Sequence, residues 1–96
     1  MEVIRPDDID VLWADILQER RAQDAQWGGP EHDDKHERHE WASFVWKFVQ
    51  RARTFAFVRD ATANDTYEAN MIKIAALAVA AVQSSRRKRQ CQPAPR

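Results

Sequence analysis

Ninety-six residues, 44% of them apolar and 31% charged, fit one globular domain with a thin core, because a chain this short buries only about 60–65% of its unfolded surface. Fifteen acids balance fifteen bases, yet residues 86–96 hold five bases and no acid, leaving residues 1–85 at −5; an acidic body argues against bulk nucleic-acid binding as the main task. The single cysteine, Cys91, excludes an intramolecular disulfide and a cysteine metal cluster, and the longest apolar run, residues 74–82, falls far short of the roughly 20 residues that span a bilayer.

Only two glycines, adjacent to each other, and few β-branched runs predict an all-α chain. A cytoplasmic location is expected, since Met1 leads into acids rather than a basic and then apolar leader. Residues 1–85 read as a single all-helical domain and residues 86–96 as a basic tail, a frayed helix end running into disorder, with a phosphate or nucleic-acid contact by its bases as the alternative.

Residues 1–6 form an irregular lead-in ending at Pro6. Asp7 can cap a first helix, with Asp8 and Asp10 in the first turn, where the helix dipole favours acids. Ile9, Leu12, Trp13, Ile16, Leu17 and Arg20 then repeat at helical spacing, predicting a helix from Asp8 to Gln26. Its apolar stripe fades after Leu17. Glu19, Gln23 and Trp27 share the face that runs into Gly28-Gly29-Pro30, which cannot continue a helix.

Asp34 and Glu37 have a capping-box-like spacing, and Trp41, Phe44, Val45, Phe48, Val49, Ala52 and Phe55 follow with helical period. A second helix is therefore predicted over 35–57, and a connector over 59–65. A third helix is expected to start near Tyr67, capped by Asp65 or Thr66. From Met71 to Val82 every residue but Lys73 is apolar, and many are alanine. A helix apolar on all sides needs partners on all sides. The expected architecture is a three-helix antiparallel bundle completed by homodimerisation or higher oligomerisation through the third helix; a monomer with its alanines facing solvent is the alternative.

The chemistry concentrates in Glu31–Glu40, which holds five acids, two bases and all three histidines. Glu37 and Glu40 project from one helix face. With Glu19, Asp33, Asp34 and Glu68 they form a candidate carboxylate set for Mg²⁺, which takes oxygen ligands and holds substrate phosphates. Each acid alone reads more simply as part of a solvated helix start. An antiparallel second and third helix would also hold Glu68 away from Glu37, unless a second subunit supplies it. His32, His36 and His39 could hold zinc or another transition metal, though no zincin pattern accompanies them. His32-Asp33 alone does not make a His-Asp phosphohydrolase. Trp13 and Trp41 fall on core stripes; Trp27 and Trp46 could stack on a base or pack internally. Arg20, Arg21, Lys35 and Lys73 are candidate phosphate partners, Lys73 because its neighbours are all apolar.

Glu19-Arg20-Arg21-Ala22-Gln23-Asp24, Trp27-Gly28-Gly29-Pro30-Glu31-His32-Asp33-Asp34, Glu40-Trp41 and Ile72-Lys73-Ile74-Ala75-Ala76-Leu77-Ala78-Val79-Ala80-Ala81 resemble small phage and prophage proteins. Those proteins are similar to the N-terminal part of phage dATP/dGTP diphosphohydrolases and are grouped with MazG-like all-α nucleotide pyrophosphatases. The resemblance covers about residues 16–84. It implies an oligomeric helical fold, Mg²⁺ on helix carboxylates, and hydrolysis of a nucleoside triphosphate to monophosphate and pyrophosphate. It gives Glu37 and Glu40 the Glu-x-x-Glu role. In the paired Glu-x-x-Asp, Glu68 is kept but Met71 stands in place of the aspartate. Asp33, Asp34 or Glu19 would then complete the metal set. The other expectation is a phage anti-defence protein that sequesters a nucleotide signal without cleaving it, or binds and blocks a host protein.

Overall fold

The computed structural model describes residues 5–90. The expectations for residues 1–4 of the lead-in and for 91–96, including Cys91, lie outside the described residues. Within them the chain is all-helical, with α1 over Ile9–Trp27, α2 over Gly29–Asp33, α3 over Arg38–Phe55 and α4 over Ala61–Gln90.

The first helix starts where expected, but Asp8 is its cap: the Asp8 carboxylate accepts from the Asp10 N–H at 2.9 Å. It ends at Gly28, whose φ of 105° closes the last turn through an N–H donated to the Asp24 carbonyl at 2.9 Å. Only glycine takes that conformation without strain. The break then does something the sequence reading missed. Proline at the start of a helix loses no bond, because the first N–H groups have no intrahelical partner. Pro30 therefore opens α2, a short helix of five residues, rather than a plain loop.

The third helix begins at Arg38, not Lys35. Glu37 occupies the cap position in extended backbone, and Glu40 Oε1 accepts from the Glu37 N–H at 3.1 Å. The acid-to-acid signature is the right kind but lies one turn later than Asp34–Glu37, because the Asp34 carboxylate is engaged by α4.

The fourth helix starts at Ala61, six residues before Tyr67. Asp60 Oδ1 accepts from the Ala63 N–H at 2.7 Å and so caps it, which Asp65 and Thr66 do not. The turn-forming residues fold into the helix interior by bonding back to the preceding turn: Thr66 Oγ1 donates to the Thr62 carbonyl and Asn70 Nδ2 to the Thr66 carbonyl. At the other end α4 runs on through Gln90, so residues 86–90, expected to be a frayed helix end before the tail, are helical.

At 30 residues α4 is about 45 Å long by the standard rise, and the other helices are arranged on it. It packs against α3 as an antiparallel hairpin and against α1 on another side, and α1 and α3 do not meet. Trp41, Leu77 and Ala80 form the core, flanked by Phe44, Val45, Phe48 and Ala81. The apolar stretch of α4 is covered within the chain on one face: Ala76, Leu77 and Ala80 are at most 2% exposed, whereas Met71, Ala78 and Val82 are exposed.

The first helix buries only part of its expected stripe. Arg20 is buried and Leu12 and Ile16 are half-buried, but Ile9, Trp13 and Leu17 are 60%, 55% and 50% exposed, and Gln23, off the stripe, is buried. The radius of gyration is 16.1 Å, against about 12–13 Å for a compact domain of this length.

Candidate functional site

The Glu31–Glu40 segment leaves α2 through consecutive tight turns. The Asp34, Lys35 and His36 N–H groups donate to the Pro30, His32 and Asp33 carbonyls in succession. The segment is fastened to the last turns of α4. Arg87 grips the Asp34 carboxylate through Nε at 3.1 Å and Nη2 at 2.8 Å, and Ser84 Oγ donates to it at 2.8 Å. Those bonds, Arg87 first, hold the Asp34 carboxyl below its ordinary range and raise the Arg87 guanidinium in turn. Lys88 Nζ donates to the His36 carbonyl at 2.6 Å.

His32 and His36 face each other, with their Nε2 atoms 3.2 Å apart, and His36 Nδ1 lies 3.2 Å from Glu40 Oε2. A carboxylate only accepts, so His36 donates from Nδ1, and in the neutral ring its Nε2 lone pair is turned toward His32. Trp41 and Phe44 pack edge-on around His36, at centroid distances of 5.5 and 4.9 Å. The Glu40 carboxyl is held below its ordinary range, first by the Glu37 N–H and then by His36.

A second polar network lies on the α1 side. Arg20 Nη2 meets Asp24 Oδ1 at 3.2 Å, Asp33 Oδ2 at 3.6 Å and Gln83 Oε1 at 3.3 Å; Nη1 reaches Gln23 Oε1 at 3.4 Å. Neither carboxylate contact is aligned as a hydrogen bond, which leaves both oxygen atoms buried without one. Burial consequently outweighs Arg20 at Asp33 and raises its pKa. Lys73 pairs with Glu19 at 3.0 Å.

Two cavities meet at His36 and Trp41. One, of about 340 Å³, is lined by Arg38, Lys88, Arg89, Ser84, Ser85 and Ala81, with Glu37 its acid. The other, of about 230 Å³, is lined by Trp27, His32, Asp33, Phe44, Lys47, Phe48 and Leu77. The first is cationic and hydroxyl-bearing; the second is aromatic.

The expected site residues are therefore divided among several places. Glu37 and Trp27 line the cavities, and Asp33 lines the aromatic one. Glu40 caps α3, Asp34 is clamped to α4, Glu19 is paired with Lys73, and Arg20 joins α1 to the segment. Arg21 lines the groove between α1 and α4, and Lys35 is exposed. Glu68 is exposed near the start of α4, toward the opposite end of the hairpin from Glu37 and Glu40. Among the described residues no three His, Cys, Asp or Glu side chains converge as a metal cluster. Arg38, Ser84 and Ser85 were missed, and Lys88 and Arg89 were weighed only as tail bases with a lesser phosphate-contact reading. The signal for Ser84 and Lys88 was the continuation of the stripe Leu77, Ala80, Ser84 and Lys88 beyond the apolar stretch.

Comparison with protein-family models, with curated proteins and with solved structures finds no match.

Proposed function

We propose that this protein binds a nucleoside phosphate without hydrolysing it, its phosphates over Arg38, Lys88 and Arg89 and its base among the aromatic rings beyond His36 and Trp41. The observation that carries this reading is the shared wall between a cationic cavity and an aromatic one. Guanidinium and ammonium groups suit phosphate oxygens, and an aromatic pocket takes a base with little sequence preference. The resemblance to MazG-like nucleotide pyrophosphatases supports the same ligand class.

Binding without turnover is favoured by how the carboxylates are engaged. Glu40 caps a helix, Asp34 holds Arg87 and Glu19 holds Lys73. These acids do not fit a protein-built Mg²⁺ site, and Mg²⁺ enters only as a counter-ion on the ligand's phosphates, with Glu37 the acid of that cavity. Sequestration of a nucleotide signal in the cytoplasm of a phage-infected host is the biological role this reading supplies.

Calorimetry with each dNTP and with cyclic nucleotides, with and without Mg²⁺, tests it. Binding is expected to weaken at least about tenfold when Lys88 and Arg89 are both changed to alanine, with the ligand recovered intact. Pyrophosphate release that Glu40→Gln abolishes would instead establish the enzyme. Failure of every nucleotide to bind would remove the proposal and direct attention to a host protein partner.

Self-association belongs to the same proposal. Its support is the outward stripe Ile9, Trp13 and Leu17 on α1, together with Met71, Ala78 and Val82, which remain exposed on α4. Light scattering on the parent and on Leu17→Glu reads it: a dimer or larger species converted to monomer is expected, and a monomeric parent would overturn it.

A further inference from the structure

Two imidazoles meet nitrogen to nitrogen in the His32–His36 pair. Its position owes nothing to helix periodicity, since His32 lies in α2 and His36 in the turn beyond it. Two imidazole nitrogens on one metal at about 2.0–2.1 Å are about 3.3–3.4 Å apart in tetrahedral geometry and about 2.9 Å apart at right angles. The observed Nε2 to Nε2 separation of 3.2 Å lies within that span.

The surroundings favour a metal in a second way. Ligating histidines commonly donate their other ring N–H to a carboxylate, which fixes the tautomer and raises ligand basicity. His36 has that partner in Glu40, at 3.2 Å from Nδ1, and the Glu40 carboxylate is itself steadied by the Glu37 N–H. Trp41 and Phe44 hold the imidazole edge-on, so its direction is set before any ion arrives. His32 needs only to move its proton from Nε2 to Nδ1 to offer a second lone pair at the same point.

We infer that His32 and His36 chelate a divalent transition metal, of the zinc, nickel or copper class, through their facing Nε2 atoms. Imidazole nitrogens select this class over magnesium or calcium. Two protein ligands leave the remaining positions to water or to a donor atom of whatever occupies the aromatic cavity that both histidines line. The inference holds whether or not that cavity takes a nucleotide.

The test titrates the purified full chain with Zn²⁺ by calorimetry and with Co²⁺ by visible absorption. One equivalent of either ion is expected. His32→Ala should lose the site. Glu40→Gln should weaken it by about tenfold or more, as expected for the partner of a ligating imidazole, and His39→Ala, on the exposed start of α3, should leave it unchanged. Circular dichroism confirms that each variant is folded. His32→Gln, which keeps a polar side chain at the position, replaces His32→Ala if the alanine variant unfolds. Absence of stoichiometric binding by the parent would overturn the inference and leave a plain hydrogen bond between the rings. So would a loss in His39→Ala equal to that in the His32 variant, which would show adventitious surface histidine binding.

Discussion

Asp34→Asn tests the clamp that fixes the functional segment to α4. The substitution keeps the shape but removes the charge that draws Arg87 Nε and Nη2 to 3.1 and 2.8 Å. Hydrogen bonds to a charged group contribute about 1.5–3 kcal/mol when shielded, and a bidentate guanidinium is the stronger kind. Here Arg87 and Asp34 are 33% and 36% exposed, so screening by water reduces that to about 1–2 kcal/mol. For a domain this small the melting temperature should fall by about 5–10 °C. The pH dependence has a definite sign. The folded-state pKa of Asp34 lies below its ordinary 3.8, so its stabilisation is fully present above that value and fades as pH falls through the lower folded one. Thermal melts by circular dichroism should therefore separate parent and variant at neutral pH, and the gap should narrow as pH falls below the ordinary carboxylate range. The gap should also narrow in about 1 M salt, where the Debye length is about 3 Å. Equal melting temperatures at neutral pH, or a gap that does not narrow on acidification, would refute the reasoning.

Trp41→Ala empties the centre of the core, where Trp41 is 8% exposed, and should cost about 3–5 kcal/mol; Trp46→Ser, at a position 58% exposed, should change the denaturant midpoint little. Lys73→Met removes a surface pair with Glu19 and should cost under about 1 kcal/mol, with nucleotide affinity by calorimetry unaltered. At Asp33 the sign is opposite to that at Asp34. Its pKa is raised above 3.8 by burial, so ionisation costs stability as pH rises through the folded value, and Asp33→Asn should melt no lower than the parent at neutral pH.

Local chemistry was the legible part of this fold. The helix stop at Gly28 and the amphipathic third helix are governed by backbone freedom and by periodicity, both of which are local. Starts were less legible because capping side chains compete. Asp60 captured α4 before Asp65 could, and Asp34 was withdrawn from capping by a partner more than 50 residues away, Arg87. The first helix was legible in part. Arg20, Leu12 and Ile16 of its periodic stripe are buried or half-buried, but periodicity does not show that the docking bonds to α4 run through polar groups, Glu19 and Arg20, beside a buried Gln23.

The site divides along the same line. Residues 31–40 were recognised as the functional edge from density of ligand-type side chains, and both cavities and the histidine pair border them. Their use was not recognisable, because a carboxylate's task depends on which base the fold brings beside it. Six acids were candidates for one metal cluster. Four of them, Glu19, Asp33, Asp34 and Glu40, are instead occupied by Lys73, Arg20, Arg87 and a helix N-terminus. The same fold continues α4 through the basic residues once read as a tail, so that Arg87 and Lys88 secure the segment while Lys88 and Arg89 line its cationic cavity. Acids neutralised by internal partners cannot repel an anion, and the bases at the cavity wall remain to attract one. That redistribution of charge, rather than the count of acids in the segment, is why a phosphate-bearing ligand suits this edge of a protein whose acids and bases balance.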